Sequence, residues 1–196
     1  MTAIFDAIRE RFSEVPPLFL SQESGAIKLE LKPYLQPFEV ELARRELDAL
    51  LLPGEKSVEE HGYHLLHTKR PEHFFRERLT YWQRVGRTLL EPTVQKALEL
   101  TQNGMRDVRE LHRCRRLRYG PHDMHEYRGK FFPQLVRTLI TISGAPEGTV
   151  VLDPMCGSGT TACEAVAFGR SAIGADCNPL SVLISTVKAT IPSLMA

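Results

Sequence analysis

The sequence predicts an α/β chain in two parts: a mostly helical α+β region over residues 1–120, then a parallel strand–loop–helix–strand unit over residues 121–196. Three observations lead there. The apolar, β-branched run Gly148-Thr-Val-Val-Leu-Asp153 enters a glycine-rich loop, and the shorter run Ser171-Ala-Ile-Gly-Ala-Asp176 also ends in an acid. Upstream, a stretch of period two is followed by stretches of helical period.

Composition sets the outer bounds. The 196 residues suit one full domain or two small ones. With 25 Lys and Arg against 24 Asp and Glu, a net charge of +1 excludes a generally basic nucleic-acid coat, so nucleic-acid contact requires a local patch. Cys114, Cys156, Cys163 and Cys177 form no CxxC pair or tight ligand spacing, which argues against a disulfide framework or zinc ribbon and fits a reducing cytoplasm. The start MTAIFDAIRERF lacks an apolar signal core, and no apolar run approaches the roughly 18 residues of a membrane span, so the expectation is a soluble, unexported protein.

In the N-terminal part, Ile27, Leu29 and Leu31 alternate with Lys28, Glu30 and Lys32, the pattern of a half-buried strand. Leu47, Leu50 and Leu51 predict a helix over 40–52, stopped by Pro53-Gly54. Phe75, Leu79, Trp82 and Leu89 predict a second over 72–90, with Gly86 a weak point. A third has Pro92 in its first position, Val94, Ala97, Leu98 and Thr101 on one face, and Asn103-Gly104 as its stop. Next comes a basic stretch in which Arg106, Arg109, Arg113, Arg115, Arg116 and Arg118 face only Asp107 and Glu110. It reads either as a solvated face or linker, or as a strip that contacts phosphates. The tract Tyr119-Gly-Pro-His-Asp123 connects the two parts.

In the C-terminal part, 148–153 reads as a buried parallel strand that Asp153 and Pro154 end. Gly157 and Gly159 permit a backbone path and a ligand approach that a Cβ would block, and Thr160 to Phe168 reads as a helix ending at Gly169. Backbone N–H groups at that helix start suit an anionic or polar ligand. A second strand over 171–176 ends in Asp176, with Asn178 as N-cap and Pro179 as first helical residue. Asp176 lies about 20 residues beyond the loop, where a Rossmann-like unit offers a carboxylate to ribose hydroxyls. The ligand expected is therefore of adenosine type. The loop DPMCGSGTT matches neither GxGxxG nor GxxxxGK[ST].

DPMCGSGTT, GADCNP and, upstream, the KFFPQL of Tyr127-Arg-Gly-Lys-Phe-Phe-Pro-Gln-Leu135 together resemble the amino-group DNA methyltransferases, which modify adenine N6 or cytosine N4. The resemblance covers about Tyr127 to Lys188. It implies an S-adenosylmethionine-dependent methyltransferase sheet, incomplete here. It further implies that Lys130, Phe131 and Pro133 line the cofactor site, that Asp153, Pro154, Met155, Cys156, Gly157, Ser158, Gly159 and Thr160 cradle the methionine moiety, that Asp176 accepts the ribose hydroxyls and that Asn178 borders the adenine. DNA is the implied partner, with the arginine strip as its phosphate contact. An RNA methyltransferase is the alternative within enzymes, and a non-catalytic cofactor- or nucleic-acid-binding module the alternative outside them.

That family also uses an Asp, Asn or Ser followed by Pro-Pro and an aromatic, which holds the target amine while its lone pair is freed for attack. The only Pro-Pro here, in Glu14-Val-Pro-Pro-Leu-Phe19, has Val15 and Leu18 at the critical positions, and Cys177-Asn-Pro-Leu180 has a single proline. No catalytic residue is assigned. The expectation is a fragment, split-gene half or truncated relative whose catalytic half lies on another segment or chain. His61, His64 and His67, with His73 nearby, invite a metal reading but lack a convergent Cys or carboxylate set, so no metal is expected. Cys156 has no base spaced to make it a nucleophile, and Tyr81 and Trp82 suit core packing better than base stacking.

Overall fold

The computed structural model describes residues 26–101 and 117–195. The first segment is organised by an antiparallel sheet of β1 (Ile27–Leu31), β2 (Ser57–Glu60), β3 (Tyr63–Leu66), β4 (Trp82–Gly86) and β5 (Glu91–Pro92), in the order β2-β3-β1-β4-β5. β1 follows its alternation, with Ile27 and Leu29 buried and Lys28 and Glu30 half-buried. Helix α1 (Pro37–Ala49) starts earlier than its leucines predict, because Pro37 suits a first turn and the Glu39 carboxylate accepts the Gln36 N–H at 2.8 Å. Its Ala43 and Leu47 pack on β1 residues, Trp82 and Val85.

The helix expected over 72–90 is a correction. Helix α2 (Glu72–Arg78) stops before Leu79, and the chain continues as β4. Phe75, Leu79 and Trp82 do share one core, which is why their spacing imitates a helix, but Trp82 reaches it from a strand. Local β-formers and tertiary partners decide the matter: the Thr80 N–H is taken by the buried Glu46 carboxylate at 2.9 Å, and the Tyr81 carbonyl accepts the Lys32 N–H at 3.1 Å. Helix α3 (Val94–Thr101) is where it was expected, but Pro92 lies in β5 and Thr93 is the cap, its Oγ1 accepting the Lys96 N–H at 3.1 Å. The Asn103-Gly104 stop lies outside the described residues. His61, His64 and His67 sit in and beside the β2–β3 hairpin, His73 lies in α2, and the His64 ring packs edge-on against Trp82 at 4.8 Å.

The second segment contains a 3-10 turn (Gly120–Asp123), α4 (Pro133–Ile142), β6 (Val150–Asp153), α5 (Thr160–Ala167), β7 (Ser171–Gly174) and α6 (Pro179–Met195). β6 and β7 pair in parallel from Val150↔Ser171 to Asp153↔Gly174, with α5 between them in the chain. Val136, Ile140 and Ala165 cover one sheet face, against Val151, Phe168 and Ala172. The expectation that 148–153 is buried does not hold for the other face. Val150 is 53% exposed, Leu152 65% and Ile173 58%, because α4 and α5 shield only one side.

The two segments pack through α1 and α4. Glu46, fully buried on α1, also accepts the Thr138 hydroxyl of α4 at 3.0 Å, and burial raises its carboxyl pKa above the ordinary value. Among the described residues, no helix is long and apolar enough to cross a membrane.

Candidate functional site

The loop between β6 and α5 is pinned at each turn. Asp153 ends β6, its Oδ1 accepting the Met155 N–H at 3.1 Å while its carbonyl accepts the Ala175 N–H at 2.9 Å. Pro154 and Met155 then stand in solvent, Met155 at 83% exposure. Cys156 turns inward and donates its N–H to the Ala175 carbonyl at 2.9 Å, with its sulfur 3.0 Å from the position a Cβ on Gly174 would take.

Gly157 and Gly159 have φ values of 50° and 76°, a left-handed path that side chains resist. Gly159 is also the N-cap of α5, and a Cβ there would lie 2.5 Å from Ser185 Cβ and 2.6 Å from Ser185 Cα on α6. Glycine is therefore required by both backbone and packing. No side chain caps α5, so its first-turn N–H groups face the loop. Thr160 opens the helix and is buried, and the buried Ser158 hydroxyl has no hydrogen-bond partner among the described residues. A ligand hydroxyl, amine or carboxylate fits such an orphan.

The structure brings Asp176 to this loop. Its Oδ2 accepts the Gly157 N–H at 2.9 Å and its Oδ1 the Asn178 N–H at 2.8 Å. These two amides, Asn178 first, hold the carboxyl below its usual pKa. Asn178 caps α6, its Oδ1 accepting the Leu180 N–H at 3.0 Å. Between Asp176 and Asn178, Cys177 is exposed.

The KFFPQL residues are less uniformly placed. Lys130 Nζ donates to the carbonyls of His122 and His125 at 2.8 and 2.9 Å, and burial followed by Arg118 lowers its pKa. Phe131 is 59% exposed, while Pro133 is buried as the first residue of α4. Arg118, the one arginine of the basic strip among the described residues, pairs with Glu126 at 2.8 Å; the other five lie outside them. No group of three metal-ligating side chains converges among the described residues.

Sequence reasoning missed what braces the loop. Glu164 of α5, 2% exposed, is held by Arg137 Nε and His122 Nε2, each at 2.7 Å, and by the Tyr119 hydroxyl at 3.2 Å. Burial pushes its carboxyl upward, but Arg137 and His122 outweigh that and bring the pKa to about 2. The network continues from Tyr119 to Gln95 at 3.1 Å, then to Glu99 and Lys32 of the N-terminal segment. Tyr127 was missed as well: its hydroxyl lies 3.0 Å from Ser181 Oγ. The signal available was a Glu inside an otherwise apolar helix and a Tyr just ahead of KFFPQL.

Fold and loop together define a parallel strand–loop–helix–strand unit with a carboxylate held against a glycine turn. Comparison with known proteins narrows the class. A family model described as DNA methylase, N6_N4_Mtase, matches residues 52–186, and the chain belongs to that family. It is 40% identical over 67 residues to the Type II methyltransferase M.MjaII of Methanocaldococcus jannaschii, covering 34% of this chain and 12% of that protein. It is 38% identical over 71 residues to the Type II methyltransferase M.MvaI of Kocuria varians, covering 35% of this chain and 16% of that one. A tRNA (guanine(10)-N2)-dimethyltransferase of Methanothermobacter thermautotrophicus is 40% identical over 50 residues, covering 26% of this chain and 15% of that protein. The chain thus spans about a sixth or less of the length of these relatives.

Proposed function

We propose that this chain is the cofactor-binding part of an S-adenosylmethionine-dependent DNA amino-methyltransferase acting on adenine N6 or cytosine N4, with residues 121–196 forming the start of a Rossmann-like sheet. The carrying observation is the Asp176 carboxylate held by the Gly157 N–H at the turn of DPMCGSGTT. It supports a reading in which Asp176 is a fixed acceptor for ribose hydroxyls beside a loop that takes the methionine end. The cofactor supplies an electrophilic methyl group. In this reading Asp153 to Thr160 and Pro133 shape the methionine side, with the Ser158 hydroxyl as a polar contact. Asp176 takes the diol and Asn178 borders the base. Lys130 holds the turn at His122 and His125 and so shapes the wall on which Phe131 stands.

The group that orients a target amine is assigned to a second polypeptide segment, since no acceptor–Pro-Pro–aromatic element occurs in the sequence. DNA phosphates are assigned to the arginines between Arg106 and Arg118. RNA is the second reading, favoured by the likeness to the tRNA dimethyltransferase. Calorimetry with S-adenosylhomocysteine tests the cofactor assignment: Asp176→Ala should weaken binding at least about tenfold, a value consistent with losing a charge-assisted hydrogen bond. Unchanged affinity would remove the ribose assignment. Methyl incorporation into duplex DNA against tRNA, with the complementing segment supplied, separates the two substrates.

A further inference from the structure

We propose that the open cleft between the β3–α2 turn and the β4–β5 turn is a groove for nucleic-acid phosphates, with Lys69 and Arg87 as its phosphate contacts and Arg70 and Arg76 as fixed positive charge along its wall. The groove itself does not depend on the cofactor reading; the choice of DNA as its ligand rests on the methyltransferase reading above.

Three stretches of chain line the groove, a cavity of about 560 Å³: Lys69 and Arg70 ahead of α2, Glu72, His73 and Arg76 within it, and Arg87 just after β4. Four Lys or Arg residues thus meet one acid, on a chain whose net charge is only +1. That acid is already engaged. Glu72 Oε1 accepts the Arg87 N–H at 2.6 Å, which ties the two turns together, and Arg76 pairs with Glu91. Lys69 is exposed, and its ammonium has no ion-pair partner among the described residues.

The walls are braced. The Arg70 guanidinium lies 4.3 Å from the centre of the Phe74 ring, and so does that of Arg78, which pairs with Glu147 ahead of β6 at 3.2 Å. Arg87 Nη2 donates to the Thr68 carbonyl at 3.3 Å, while Glu55 accepts from the Thr68 hydroxyl at 2.9 Å and the Lys69 N–H at 3.1 Å. Gly86 turns the chain so tightly before Arg87 that a Cβ there would collide with the Leu89 carbonyl oxygen. A stacked or hydrogen-bonded guanidinium keeps its charge and spare N–H donors but has already lost rotamer freedom, so less ordering remains when an anion arrives. The cations are spread over three stretches, and the cavity is larger than one phosphate group, which fits successive phosphates of a polymer better than a single small anion. Such contacts position a duplex without reading its bases.

Fluorescence anisotropy with a short labelled DNA duplex, followed across a salt series on the full chain, tests the groove. Lys69→Gln with Arg87→Gln should lower affinity by about ten- to hundredfold and reduce the slope of log K against log salt by about two, alike for unrelated duplex sequences. Lys69→Gln alone, which touches no bond of the turn, should remove about one. The charge-keeping pair Lys69→Arg with Arg87→Lys should hold the slope within about half a unit, and matched Trp82 fluorescence melts confirm that the variants are folded. An unchanged slope in the Gln variants, or no duplex binding by the wild-type chain, overturns the proposal. So does a labelled nucleoside triphosphate or poly-glutamate that binds as tightly as the duplex and is lost in the same variants, in favour of a free nucleotide or an acidic protein. S-adenosylhomocysteine affinity, measured by calorimetry, should be equal in all these proteins and reports separately on the cofactor reading. If the Gln variants lose duplex binding while no chain binds S-adenosylhomocysteine, the groove stands and the cofactor reading falls; full duplex binding in those variants with S-adenosylhomocysteine still bound means the reverse.

Discussion

Glu164 shows how one residue ties a helix to its surroundings. Its carboxylate neutralises Arg137, whose guanidinium also stacks on Phe168 at 4.3 Å, and both charges are removed from water. Removing one partner strands the other, a larger effect than forming the pair. Glu164→Gln should therefore destabilise the chain by about 3 kcal/mol in urea unfolding, with the midpoint falling at unchanged slope. The pH dependence follows from the same group. Its pKa is depressed from 4.5 to about 2, so its stabilisation is complete above the ordinary carboxylate range and fades as pH falls from about 4.5 towards 2. The Gln variant should lack that acid-limb component; an identical acid limb in both proteins would show that Glu164 is not the titrating group.

At the scale of elements, the loop depends on how closely α5 and α6 approach. Gly159→Ala places a methyl group against Ser185 Cβ and Cα and forces a side chain into a left-handed backbone, so the start of α5 must shift. Affinity for S-adenosylhomocysteine should drop by at least about tenfold, and Ser185→Gly should restore little, since it removes only one of the two obstructing atoms. Local chemistry made this half of the fold legible in advance. Asp153-Pro154, the glycines, and Asn178-Pro179 are strand ends, turns and caps that act within a few residues of themselves. The N-terminal sheet was less legible because its decisive partners are remote: Thr80 answers to Glu46, and Trp82 packs on Ala43 and His64. The same limit applied to the site. Asp176 was readable from its spacing, whereas Tyr127 and Ser181 meet only because α6 folds back beside the loop.

Over the whole molecule, the two packed segments share polar groups that neither can satisfy alone. Glu46 bonds Thr80 and Thr138, and the chain from Lys32 through Glu99, Gln95 and Tyr119 ends at Glu164. They should unfold together. Trp82, the only tryptophan, lies in the N-terminal core, away from the loop. S-adenosylhomocysteine at about 100 times its Kd should nonetheless stabilise the Trp82 fluorescence transition by about 2.7 kcal/mol. A transition indifferent to ligand would mean that the segments melt independently. The bare side of β6 and β7 acts at this scale too, in the handling of the purified chain. Val150, Leu152 and Ile173 offer water an apolar stripe on a two-stranded sheet, a surface on which molecules adhere as concentration rises. Light scattering should grow steeply with protein concentration, and Leu152→Lys combined with Ile173→Lys should flatten it without weakening cofactor binding, making colloidal behaviour and ligand recognition separable properties of the same two strands.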